Sequence, residues 1–125
     1  MKIFNYSNEE ITKAIKEKKL YYYYKNYGIH IATIKGYTIE FDYKGEAFKN
    51  ITFKTVSEDI SIKNDDFYYT VFYETEYECV THFKNVYNDI VLNAESTKND
   101  DIEEKLSTLE FNKGLYELKY PEIFV

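Results

Sequence analysis

From Cys79 to Ala94 the apolar residues fall at a helical interval. Cys79, Phe83, Val86 and Ile90 form a row, and Val80, Tyr87, Val91 and Ala94 widen it. Such a stripe predicts an amphipathic helix over about Glu76 to Asn93, broad enough to cover a core. Thr75-Glu76-Tyr77-Glu78 just ahead of it reads as a capping box, in which a hydroxyl and a Glu three residues on satisfy the first free amides. This element most constrains the fold, because a helix with so wide an apolar face must bury it against something else. The spacing upstream points to a sheet.

Leu20–Tyr24, Ile29–Lys35, Thr38–Tyr43, Asn50–Val56 and Phe67–Tyr73 are rich in β-branched and aromatic residues. Thr38–Tyr43 alternates most cleanly, with Ile39, Phe41 and Tyr43 on one face. Gly36 and Gly45 fall between runs, where tight turns require positive φ. Short connections of this kind join antiparallel neighbours, so a meander of four to five strands is expected, with the long helix lying across it. Ahead of the strands, Ser7-Asn8-Glu9-Glu10 is another capping box. Ile11, Ala14 and Ile15 follow at helical spacing, predicting a short helix to about Lys19.

After a polar break at Ser96–Asp100, Asn99 or Asp100 caps a second short helix carrying Ile102, Leu106 and Leu109, with Gly114 as its stop. Leu115–Tyr120 alternates as a final strand would, with a helical turn as the other reading, and Pro121 ends it. The expected fold class is α+β: an antiparallel meander packed by one long amphipathic helix, with short helices at either end. The 125 residues are read as a single domain.

All 16 basic side chains are Lys, set against 22 acids, for a net charge of −6. Phosphate backbones are bound by clustered cations, and specific guanine contacts favour Arg, so direct nucleic-acid binding is disfavoured. An acidic surface suits a basic partner. Phe, Tyr, Met, Ile, Asn and Lys have AT-rich codons and supply about half the chain, so some of the tyrosine excess reflects nucleotide bias. Cys79 is the single cysteine, the first residues turn polar at once, and no apolar run approaches a bilayer span. A cytoplasmic protein of a bacterium or phage-infected host cell is expected.

Catalytic chemistry finds little to use. Cys79 lies in the apolar stripe while His82 falls on the polar side with Glu78, Asn85 and Asp89, so a buried, inert thiol is expected. Glu78 and His82 stand four residues apart, but two ligands do not make a zinc site and no HExxH or CxxC occurs. Asn64-Asp65-Asp66 and Asp100–Glu104 match no calcium loop, and the second suits the first turn of a helix. The glycines at 28, 36, 45 and 114 form no phosphate cradle. No enzyme activity, metal or cofactor is expected.

Tyr21-Tyr22-Tyr23-Tyr24, extended by Tyr27, is the most unusual local feature. In a strand two of the four face a core and two face solvent, where tyrosines serve as interface anchors. The expected role is a small acidic protein-binding module, most economically an inhibitor of a basic enzyme such as a nuclease. Anti-CRISPR proteins and toxin-immunity proteins share this size and charge. Its contacts would come from Tyr21, Tyr22, Tyr23, Tyr24 and Tyr27, with Asp65, Asp66, Asp100 and Asp101 supplying charge. A ligand- or nucleotide-binding domain with a tyrosine-lined pocket, and a structural subunit without a site, are the alternatives.

Overall fold

The computed structural model describes residues 3–63, 70–94 and 100–125. A short 3-10 turn (Ile3–Asn5) leads into α1 (Asn8–Lys16), followed by β1 (Tyr21–Lys25), β2 (Gly28–Phe41), β3 (Ala47–Lys54), β4 (Asp59–Lys63) and β5 (Phe72–Tyr73). Then come α2 (Glu76–Ala94), α3 (Asp100–Lys119) and a final 3-10 turn (Pro121–Phe124). The strands form one five-stranded antiparallel sheet, ordered β4-β3-β2-β1-β5. The class is α+β. Two compact units divide the chain: residues 1–23 with 30–74, and residues 24–29 with 75–125.

In the first unit, α1 starts as its capping box dictates. The Glu10 amide donates to Ser7 Oγ at 3.1 Å, and Ser7 N donates to the Glu10 carboxylate at 3.2 Å. It stops three residues before the expected Lys19, because Lys18 turns left-handed at φ 51. Lys19 N then donates to Ala14 O and Lys18 N to Ile15 O, which is the paired closure of a Schellman end. Ile11 and Ala14 of α1 join Tyr21 and Tyr23 of β1, Ala32 and Ile34 of β2, Ile51 and Phe53 of β3, and Phe72 in one core. Phe53 and Phe72 stack at 3.9 Å between centroids.

The strand expectations are corrected in part. Ile29–Lys35 and Thr38–Tyr43 are one strand, β2, and Gly36 is not a turn. The β2–β3 register runs Ile34↔Phe53 and then Gly36↔Thr52, so Lys35 is an extra residue bulged out of the ladder. An inserted residue reverses which parity faces the core: Ala32 and Ile34 point inward before it, Tyr37, Ile39 and Phe41 after it. Asp59–Lys63 is a strand that sequence reasoning passed over, although Ile60 and Ile62 alternate and both pack on the core. At the end of β2 the expected turn holds: Gly45 has φ 81, and Asp42 Oδ1 accepts from the Lys44 and Glu46 amides. Of the expected fifth strand, residues 67–69 lie outside the described residues, and Phe72 and Tyr73 are extended, pairing with Tyr23 and Tyr22.

The second unit holds α2, α3, the last 3-10 turn and the tip of the β1–β2 hairpin. Cys79, Val80 and Phe83 of α2, Leu109 of α3 and Ile123 are buried. Phe83 stands edge-on to Tyr116 at 4.9 Å. The Thr75 cap forms, its hydroxyl accepting from the Glu78 amide at 3.2 Å and donating to the Glu78 carboxylate at 2.8 Å. The C-terminal expectation is corrected in part: α3 is neither short nor ended by Gly114, and of the two readings of Leu115–Tyr120 the helical one holds, over Leu115–Lys119. Tyr116, Leu118 and Tyr120 alternate as a strand would, while Leu115 and Leu118 share a helical face, and the packing of Tyr116 beside Phe83 goes with the helix.

Candidate functional site

The tyrosine run divides by strand parity. Tyr21 and Tyr23 are buried core residues, which removes both from any contact surface. Tyr22 is half-buried on the other face of β1. Tyr24, also half-buried, stacks on His82 with centroids 5.6 Å apart and lies near Phe83. Asn26 and Tyr27 form the two-residue hairpin turn with φ 50 and 65, the doubly left-handed geometry such a turn needs. Asn tolerates that conformation and Tyr does not, so the strain at Tyr27 must be held by its surroundings. α3 does so: Asn112 Nδ2 donates to Tyr27 O at 2.6 Å, and the Tyr116 hydroxyl accepts from Ile29 N at 2.9 Å. Tyr24 and Tyr27 therefore serve the packing of the second unit.

Asp65 and Asp66 lie outside the described residues. Asp100 and Asp101 open α3, with side chains outside the described residues. Cys79 is wholly buried, and desolvation pushes its thiol up to about 12, aided by the nearby Glu76 carboxylate. Such a thiol is not a nucleophile near neutrality. His82 departs from the solvated position expected of it: it is half-buried beneath Tyr24, and that burial lowers its pKa. No group of three metal-ligating side chains occurs among the described residues, and no helix there is long and apolar enough to cross a membrane.

Two features remain as sites, both in the first unit. One is a cleft of about 310 Å³ beside α1, lined by Tyr6, Tyr21, Lys19, Glu74, Glu10 and Lys13 among others. At its floor Tyr6 donates to Glu74 Oε1 and accepts from the Tyr21 hydroxyl at 3.3 Å and Lys19 Nζ at 3.4 Å. Burial, then the Glu74 bond, raises the Tyr6 pKa, so this phenol stays protonated and acts as a donor rather than a base. The cleft can offer a ligand hydrogen bonds and both signs of charge.

The other feature follows from the bulge. Past Lys35 the core-facing side of β2 continues beyond the edge of the core, so its apolar residues are left bare. Ile39 is 52% exposed, Phe41 69%, and Tyr43 in the turn beyond 93%. Opposite them β3 supplies Lys49 and Ala47, and the small Ala47 leaves the Phe41 ring uncovered. Lys49 marks the boundary, donating to Tyr6 O at 2.8 Å and lying 5.9 Å from the Tyr37 ring. Sequence reasoning placed Ile39, Phe41 and Tyr43 on one face but took that face for a covered one.

Compared with known proteins, the chain matches no family model, no curated protein and no solved structure.

Proposed function

We propose that this chain is an acidic protein-binding module that acts by occupying a basic enzyme, such as a nuclease, through the free end of β2. The observation that carries this reading is the line Ile39, Phe41 and Tyr43, exposed along the β3-paired end of β2 and the turn beyond it. Burying the bare 69% of Phe41 on a partner removes ~140 Å² from water and is worth about 3 kcal/mol. That places it among interface anchors. Glu40 and Asp42 alternate with the line along the chain and Glu46 follows the turn, with Lys44 and Lys49 the neighbouring cations, and the whole chain carries −6. A basic partner would be drawn in by that field.

The test is affinity capture with wild-type, Phe41→Ser and Tyr22→Ser baits at low and high salt. A basic protein retained by wild-type and Tyr22→Ser, and lost with Phe41→Ser or at high salt, is the expected result. Equal capture by all three baits would refute the assignment.

The cleft beside α1 favours a second reading, a small polar ligand held by Tyr6, Lys19 and Glu74. A nucleotide and amino-acid panel screened by NMR would then shift Lys13, Ala14 and Lys19, leaving Phe41 unmoved.

A further inference from the structure

α3 carries a second apolar row, on the side turned away from Leu109 and Tyr116. Phe111, Leu115 and Leu118 recur at the intervals of one helix face and are 69%, 51% and 84% exposed. Gly114 lies in the same face, between Phe111 and Leu118, and it too is exposed. Among the described residues nothing calls for a glycine there. It sits within the helix, its φ is not left-handed, and a Cβ at that position would meet no atom within 4 Å. A glycine in a helix interior is unfavourable, so its use fits a close approach from outside.

The charges beside the row say what approaches. At 3.6 residues per turn, Glu103, Glu110 and Glu117 line up along one side of it, while Lys105, Asn112 and Lys119 line the other. Two copies of α3 packed in parallel set each acidic side against the other's Lys/Asn side. Antiparallel packing sets Glu against Glu. Three of these groups also bond within the chain: Glu110 accepts from the Tyr87 hydroxyl, Asn112 donates to Tyr27 O, and Lys119 pairs with Glu76. Above the apolar row Thr108 continues the face and Glu104 closes it, so the contact spans only the last turns of the helix.

We propose that this face of α3 is a homodimer contact, in which two copies pack their α3 helices in parallel with Gly114 at the closest approach. Three side chains per copy are far less than a standard interface buries, so the dimer is weak and reversible. Its residues all belong to the second unit, whereas those of the β2 surface belong to the first.

Sedimentation equilibrium of the full chain, carried to about 1 mM, reads the association. The expected result is a monomer–dimer equilibrium weakened at least tenfold by Phe111→Glu and at least threefold by Gly114→Ala, with Phe41→Ser leaving it unchanged. Orientation is read by cysteine pairing, the native Cys79 being buried. Leu118→Cys should form a disulfide with its own copy under mild oxidation. A chain that stays monomeric throughout, association indifferent to Phe111→Glu, or pairing found only between Phe111→Cys and Leu118→Cys would overturn the proposal.

Discussion

Replacing Gly114 and Gly45 by Ala should move stability in opposite directions, although an added Cβ meets no atom within 4 Å at either position. At Gly114 the backbone is helical, within Asp100–Lys119, so Ala supplies helix propensity and restricts the unfolded chain. The gain should be about 0.8–1 kcal/mol. At Gly45 the φ of 81 lies where a side chain clashes with its own backbone, and Ala should cost about 1 kcal/mol. Urea unfolding at low micromolar concentration, where the chain is monomeric, measures both. With a slope of roughly 1.5–2 kcal/mol/M, each change shifts the midpoint by about half a molar, upward at 114 and downward at 45. Had Gly114 ended the helix in the left-handed conformation, both substitutions would destabilise. A loss at Gly114 would therefore refute a helix continuous through that position.

Phe83→Ala should cost about 3–5 kcal/mol, because the ring is fully buried against Tyr116 and Tyr24, while Phe111→Ala should stay within about 0.5 kcal/mol; urea midpoints compare them. The native Cys79 thiol, raised from an ordinary value near 9 to about 12, holds its proton in the folded state. Its contribution is complete below pH 9 and declines by up to about 1.4 kcal/mol per pH unit above it. Cys79→Ala should delay that decline until the tyrosines titrate, as denaturant midpoints between pH 7 and 10.5 would record. Tyr6→Phe strips the Glu74 carboxylate of its buried donor and should cost about 1.5–3 kcal/mol in the same unfolding assay.

Local chemistry made parts of the fold legible. Ser7 and Thr75 announced their helices because capping depends on residues three apart, and Gly45 announced its turn because positive φ is a property of one residue. The wide stripe from Cys79 marked α2 for the same reason of short range. What escaped depends on partners distant in the chain. Gly36 between two runs of opposite parity reads equally as a turn and as a bulge, and only the pairing of Ile34 with Phe53 and Gly36 with Thr52 separates them. Tyr116, Leu118 and Tyr120 suit a strand and Leu115 with Leu118 a helix, and the two readings part only when Tyr116 is seen against Phe83. The tyrosine run looked like a surface because its composition is unusual, yet parity sends Tyr21 and Tyr23 inward and His82 covers Tyr24. The bare end of β2 was invisible for a related reason: an alternating strand shows which side is apolar, but not how far the core extends beneath it.

The central claim is that the free end of β2 is where this chain meets its partner. A photo-crosslinking residue placed at position 41, with matched controls at positions 22 and 111, tests it most directly in lysate from cells expressing the chain. Covalent capture at 41 of a basic protein, competed by unmodified chain and absent at 22, is the predicted result. Capture at 22 with none at 41 would contradict the account, and so would a dominant acidic or nucleic-acid adduct at 41.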